Sequence, residues 1–288
     1  MSNMEPDLQY FEFATDFKCC GHAYVRDRAR ATLLVLPALG VIADKYRRFA
    51  EACVARGYNV LIGDYPGNGN STPRPSRTRD YGYQHLLTDF IPSLQRLASE
   101  FRPDIPCVLV GHSVGGHVAT LYSQWQDAQP CPIISIASGT IHYSNWDGVG
   151  RLGILMAASI INLSVRLIGH FPGVHVGFGR HEAQTLMRQW SKVARTGDYR
   201  HIPFQRSDDH RRSFQGLYIG IDADPFSPPR STEALAKCFR GQTTIIRIGL
   251  PTGVSGNPHG AWLKAPDAVV AAIDRWLTDD LRVNVMND

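Results

Sequence analysis

The sequence predicts a parallel, doubly wound α/β sheet carrying a helical insertion, and three observations lead there. The run 31–36 is continuously apolar rather than alternating, as in a strand buried on both faces, and further strand-like runs follow at 59–65, 107–110 and 133–137. Segments of helical spacing separate them, and that alternation is the mark of a parallel sheet wrapped by helices. The alternation stops near residue 140 and resumes at 216–222, so the intervening stretch interrupts one sheet instead of following it.

Taken in order, two strands of antiparallel character open the chain at 10–17 and 21–26. The strand 31–36 leads to a helix at 46–56, with Phe49, Ala50, Cys53 and Val54 on one face and Gly57 as its C′ residue. After the strand 59–65 comes a loop, Pro66-Gly67-Asn68-Gly69-Asn70-Ser71. Residues 83–101 read as a helix, with Pro92 as the one place where it could be interrupted. Beyond the strand 133–137 the chain reads as two helices, 151–170 and 182–196. The sheet pattern then returns with the strand 216–222, a helix at 231–239, the strand 243–248 and a closing helix at 266–278. The organisation expected is a core of residues 1–141 and 206–288 with a helical cap at 142–205.

Bulk composition narrows the function. The 288 residues are 43% hydrophobic and 19% charged, enough for a sizeable core. A formal charge of +4, without an aromatic-interleaved basic stripe, argues against nucleic acid as a partner. Phosphate-cradling glycine loops are missing, and no cysteine–histidine set has zinc spacing, so neither cofactor nor metal is expected. The six cysteines, including the vicinal Cys19-Cys20, read as free structural thiols. With a polar, acidic amino terminus and no apolar signal core, a reducing cytoplasm is the expected location. The apolar stretch 152–168, at about 17 residues with Asn162 and Arg166 inside it, reads as a lid helix rather than a membrane span.

The chemistry centres on Gly111-His112-Ser113-Val114-Gly115-Gly116. An apolar strand enters this run and a small-residue helix leaves it, so Ser113 falls on a sharp turn with its hydroxyl exposed. Gly111 and Gly115 fit such a turn because a Cβ there would strike a neighbouring strand or helix, and because glycine accepts unusual backbone angles. The helix that follows aims free N–H groups at the site, where an oxyanion can be stabilised. A serine nucleophile needs a base, and the base needs an orienting carboxylate. Two later loops at the carboxyl ends of strands provide candidates: Asp224 (with Asp222 two residues earlier as the alternative) and His259. Asp224 is preferred because it opens a turn that can reach the histidine loop, whereas Asp222 ends a strand.

In this the chain resembles the α/β-hydrolase fold family over essentially its whole length. Gly111 to Gly116 is similar to that family's nucleophile elbow, Asp224-Pro225-Phe226-Ser227-Pro228 to its acid loop and His259-Gly260 to its base loop. Residues Asp64 to Ser71 resemble its Asp-x-Arg-Gly-x-Gly-x-Ser loop, with Pro66 in place of arginine. Leu36-Pro37-Ala38-Leu39-Gly40-Val41 and Arg188-Gln189-Trp190 are similar to a little-characterised bacterial group of predicted hydrolases. The first turn, often His-Gly in the superfamily, reads Pro37-Ala38 here. The resemblance implies a Ser113–His259–Asp224 triad and an oxyanion hole made by the backbone N–H groups of Leu39 and Val114.

The expected function is hydrolysis of an ester, thioester or amide of a small, largely apolar acyl substrate through an acyl-enzyme. Acyl transfer, lyase or cyclase chemistry on the same triad, and a non-catalytic receptor, remain open. The helix at 152–168 is apolar on nearly every face, so it is expected to be buried on more than one side, with Trp146, Met156 and Trp190 contributing apolar wall to the pocket. Among the other histidines, His112 is expected to pack away from Ser113. His85, His117 and His170 fall on predicted helices, and His142, His175, His181, His201 and His210 are near enough to the insertion to meet substrate.

Overall fold

In the computed structural model, which describes residues 4–14, 16–209 and 214–280, ten strands form two sheets. The chain opens with β1 (Asp7–Phe13) and β2 (Phe17–Tyr24), paired antiparallel. Then come β3 (Ala31–Leu36), β4 (Tyr58–Gly63), β5 (Cys107–His112) and β6 (Ile133–Ile136). A separate antiparallel ribbon is made by β7 (His170–Pro172) and β8 (His181–Ala183), and the chain returns to the main sheet with β9 (Phe214–Ile221) and β10 (Gly241–Ile248). The main sheet runs β1-β2-β4-β3-β5-β6-β9-β10. From β4 to β10 every neighbouring pair is parallel, while β2 joins β4 antiparallel. This is the mostly parallel α/β-hydrolase fold.

Helices α1 (Arg47–Ala55), α2 (Tyr83–His85), α3 (Ile91–Phe101) and α4 (Val114–Tyr122) connect the first strands. Between β6 and β9 lie α5 (Val149–Ile168) and α6 (Gln184–Thr196), and α7 (Pro229–Ala236), α8 (Pro258–Ala261) and α9 (Asp267–Arg275) complete the chain. Strand pleating sends alternate residues into two separate cores. Leu34, Leu36 and Leu109 meet Phe90, Leu94 and Val118 on one face. Leu33, Val35, Val108 and Val110 meet Phe49, Trp262 and Val270 on the other. That two-sided burial is why these strands read as unbroken apolar runs.

Three local expectations are corrected. The helix over 83–101 does not break at Pro92: α2 passes through a π-turn, Leu86–Phe90, into α3. The widened turn makes room for a ring that would otherwise meet the carbonyl of the preceding turn. The first residues of the predicted 182–196 helix belong to a strand instead, and His170 lies in β7 rather than in a helix. The third correction concerns α5. It runs 20 residues with mean hydropathy 1.6, long and apolar enough to cross a membrane, which removes the length argument against a span. It is not buried on several sides. Ala158, Ile161 and Val165 face inward at helical spacing, whereas Leu152, Met156, Ile160, Leu163, Leu167 and Ile168 are exposed. His210 lies outside the described residues.

The ribbon β7–β8 carries one buried acid. Glu182 is fully buried, and its Oε1 accepts the main-chain N–H of Arg180 at 2.6 Å. Burial pushes its carboxyl up from 4.5 to about 7. Between those values the folded protein holds a proton that the unfolded chain releases, so stability falls as pH rises through this window. Glu182→Gln should therefore gain on the parent as pH rises from 5 to 8, by up to about 3 kcal/mol, on the order expected for such a shift. Denaturant unfolding of both proteins at the two pH values checks this, and a parent–variant gap independent of pH would contradict it.

Candidate active site

The site is built at the carboxyl edge of the sheet, where β3, β5, β6 and β9 each deliver a turn. Ser113 follows β5 with φ 55° and ψ −115°, a left-handed conformation that non-glycine residues rarely adopt. Its N–H donates to the carbonyl of Ile136, and Ser138 Oγ donates to the Ser113 carbonyl at 2.6 Å. Crowding around the turn accounts for the glycines. A methyl group at Gly111 would stand 2.3 Å from the backbone of Gly115, and one at Gly115 would stand 2.0 Å from the carbonyl oxygen of Leu36 in β3. The positive φ sits on Ser113 itself, so the glycines are required for space and not for their backbone angles.

The structure brings Ser113, His259 and Asp224 together. His259 Nε2 stands 2.8 Å from Ser113 Oγ, and His259 Nδ1 stands 2.8 Å from Asp224 Oδ2. A carboxylate can only accept, so Nδ1 carries the proton and Nε2 is left to accept from the serine hydroxyl. Asp224 is buried, with its other oxygen accepting the N–H of Phe226 at 2.8 Å. Asp222 is exposed and paired with Arg247 at 2.8 Å, away from the histidine. His259 is held from outside by Asn257, whose Oδ1 accepts its N–H, and by Phe226 packed edge-on at 5.3 Å between ring centres.

Leu39 and Val114 line the same cavity as Ser113. Among the described residues neither backbone N–H has an acceptor, so both remain available to a developing oxyanion. The cavity, about 580 Å³, is walled mainly by apolar groups, including Leu39, Val41, Ile141, Ile154, Phe178 and Trp190. Trp190 is buried against Phe178, and Trp146 reaches the cavity while its Nε1 donates to the Pro225 carbonyl at 2.9 Å. Met156 is a correction: it is 62% exposed and points to solvent, because Ile154 and Ala157 hold the inward positions of α5. No aspartate, glutamate, lysine or arginine lines this cavity among the described residues.

Sequence reasoning did not find the supports beneath the site. Tyr46 Oη accepts the N–H of Ala38 at 2.8 Å and reaches His112 Nδ1 at 2.8 Å. His112 Nε2 lies 2.8 Å from the main-chain carbonyl of His259. A carbonyl accepts, so Nε2 holds the proton and Tyr46 donates to Nδ1. Burial, with the nearby His259, pushes His112 down to about 3 and keeps it neutral. The result is one buried hydrogen-bonded path from the turn that carries Leu39, under Ser113, to the loop that carries His259. Asp64 ties the neighbouring turns: it accepts from the N–H of Ala43 at 2.7 Å and of Asn70 at 3.2 Å, with His22 at 3.2 Å. The glycine- and asparagine-rich run 66–71 was the one sequence signal for that anchor, since Gly69 packs directly on the Asp64 carboxylate.

Of the remaining histidines, His117 lines the cavity but is committed to Tyr83 Oη at 3.1 Å and the Gly139 carbonyl at 2.8 Å, and burial pushes it down to about 4. His85 caps the N–H of Gly82, and His142 contacts Ser144. His201 lies 3.2 Å from the Gln189 carbonyl. His170, His175 and His181 line a different cleft.

Comparison with known proteins is consistent with this architecture. The family profile for serine aminopeptidase, S33 (Hydrolase_4) matches residues 27–195, which include the Ser113 turn and end before Asp224 and His259. Phospholipase YtpA of Bacillus subtilis (strain 168) is 29% identical over 110 residues, a match spanning 38% of this chain and 39% of that protein. A soluble variant of monoglyceride lipase from Saccharomyces cerevisiae superposes with a TM-score of 0.70 at 15% identity, covering 97% of this chain and 96% of that one. Alpha/beta hydrolase domain-containing protein 10 from mouse gives 0.60 at 14% identity, with 96% and 99% covered. The monoacylglycerol lipase of Paleococcus ferrophilus gives 0.59 at 14%, with 89% and 97% covered. With its sheet, its strand–serine–helix turn and a profile match over more than half its length, the chain belongs to the serine aminopeptidase S33 (Hydrolase_4) family of the α/β-hydrolase superfamily.

Proposed function

We propose that this protein is a serine hydrolase that cleaves a carboxylic ester of a small, largely apolar acyl group through an acyl-enzyme. The observation that carries the reading is the unbroken chain Ser113 Oγ–His259–Asp224, at 2.8 Å for each link, opening on an apolar cavity. His259 Nε2 takes the hydroxyl proton as Ser113 Oγ attacks the carbonyl carbon, and Asp224 stabilises the imidazolium that forms. The N–H groups of Leu39 and Val114 receive the oxyanion; one such donor contributes on the order of 3 kcal/mol to transition-state stabilisation. When the tetrahedral intermediate collapses, the imidazolium returns its proton to the departing alcohol. Water, deprotonated by the same imidazole, then releases the acid.

Ester cleavage is favoured over aminopeptidase action, despite the family description, by what the cavity lacks. Holding a free α-ammonium group needs an acidic partner, and the lining offers none among the described residues. The phospholipase and monoglyceride lipase named above support the ester reading. Residues 142–205 are proposed as a cap, since Trp146, Ile154, Phe178 and Trp190 wall the cavity from that segment.

Ser113→Ala should lower kcat/KM on a p-nitrophenyl ester by about 10³-fold or more, and Asp224→Asn by about 10⁴-fold through loss of the correct tautomer. Asp222→Asn should stay close to the parent. A severe loss in Asp222→Asn with a mild one in Asp224→Asn would reverse the assignment.

Across esters of increasing acyl length, kcat/KM should rise from two carbons by up to about fourfold per methylene, the equivalent of about 0.8 kcal/mol of burial. A flat or falling series would contradict an acyl-binding cavity.

Tyr46→Phe removes the donor to His112 and leaves two buried polar atoms unpaired. It should lower kcat by roughly tenfold with KM nearly unchanged, because the loop carrying His259 loses its register while the cavity walls remain. A rise in KM at constant kcat would show that the path supports the wall instead.

A further inference from the structure

The ribbon β7–β8 has a second face. Its alternation buries Phe171 and Glu182 and turns His170, Pro172 and His181 outward into a cleft of about 500 Å³. Arg74, Arg180 and His175 complete the polar lining, and Gly67 also lines the cleft. The cleft thus gathers two guanidinium groups and three imidazoles, and no carboxylate lines it among the described residues. Neither Arg74 nor Arg180 forms an ion pair within 4.0 Å among those residues; Glu182, the acid that acts on Arg180, lies buried on the opposite side of the ribbon. The rings of His170 and His181 stack at 3.6 Å between centres, and burial and proximity to each other and to Arg74 push His181 downward. Two imidazoles held in contact beside two guanidinium groups make a local excess of donors; the Pro75 carbonyl meets the His181 ring, and no carboxylate lines the cleft among the described residues to meet the arginines.

We propose that this cleft is a binding site for a phosphate-class oxyanion, a phosphomonoester or phosphodiester group attached to a larger molecule. Guanidinium forks match the oxygens of a phosphate, and imidazole N–H groups add further donors. A cation is disfavoured because arginine cannot be deprotonated to ligate one. The cleft is several times larger than a phosphate group, which leaves room for what the phosphate carries. An amphiphile's headgroup and a soluble phosphate ester share this chemistry. Val174, 65% exposed, lies in the cleft, and Leu167 and Ile168 continue an exposed apolar surface from its edge along α5. The site is separate from the serine cavity but shares a wall with it. Gly177, Phe178 and Gly179 line the Ser113 cavity, while Val174, His175 and Arg180 of the same loop line the cleft.

Inorganic phosphate and glycerol 3-phosphate, titrated into the full chain bearing Ser113→Ala, test this separately from hydrolysis. Binding is read by calorimetry and by the chemical shifts of His170 and His181 under constant ionic strength. One saturable site is expected, with both histidines titrating at higher pH when it is filled. Arg74→Gln/Arg180→Gln should weaken it by at least about tenfold, since each lost charge-assisted hydrogen bond is worth that much or more. Arg74→Gln alone serves as the second variant: it is exposed and makes no hydrogen bond or ion pair among the described residues, so its folding is safe. Cosedimentation with phosphatidylcholine vesicles, with and without phosphatidylglycerol, identifies the source. Binding to the anionic vesicles that phosphate displaces and the double variant loses assigns a lipid headgroup, and phosphate binding without vesicle binding assigns a soluble ester. No saturable phosphate binding, or binding unchanged in a folded double variant, would overturn the proposal.

Discussion

The close backbone contact between α4 and β3 is the constraint from which the site follows. Gly115 packs so tightly on the Leu36 carbonyl that no side chain fits between them, and Gly111 packs equally tightly on Gly115. With the helix pressed against the sheet in this way, the one residue linking strand to helix has no relaxed conformation available. Ser113 is left at positive φ, raised above the sheet edge and within reach of His259. The strain, of order 1–3 kcal/mol for such a residue, is tolerated because packing on both sides over-determines the turn. The same contact exposes the first N–H of α4 beside the serine, so the placement of the hydroxyl and that of the proposed oxyanion donor are consequences of one packing event.

Around that turn the fold separates polar work from apolar space. Hydrogen bonds run beneath the site, where Tyr46 and His112 connect the Ala38 turn to the His259 loop, and Asp64 ties the turns of β3 and β4. Tyr46, His112 and Asp64 are buried, and each has its partners, so the network is rigid rather than costly. Above the turn the cavity is almost entirely apolar, and the polar groups left free there include those proposed to meet a reacting carbonyl. Low local polarity strengthens the interactions of those few groups with a developing charge.

Much of this was legible in the residues. Strands buried on both faces and a serine between glycines reveal themselves through composition and short-range spacing, and the acid and base fall in loops at predictable strand ends. Two kinds of feature were not legible. The first is long-range pairing: nothing local in Tyr46 or His112 announces that they meet across 66 residues. The second is the direction of an apolar helix. The stretch 152–168 is apolar all round, and periodicity cannot orient a helix that lacks a polar side. Its inward face was fixed by α6 and the core, which left Met156 in solvent and Ile154 at the cavity. The short ribbon that carries His170 and His181 was hidden for a related reason, since three-residue strands offer too little alternation to detect.

The central claim is that Ser113 is a nucleophile activated by His259, and covalent trapping addresses it most directly. After brief exposure to a fluorophosphonate, intact mass and peptide mapping should show one adduct per chain on the peptide containing Ser113. Labelling should be abolished in Ser113→Ala and slowed by orders of magnitude in His259→Ala. A folded parent protein that remains unlabelled, or that is labelled equally after Ser113 is replaced, would contradict the account.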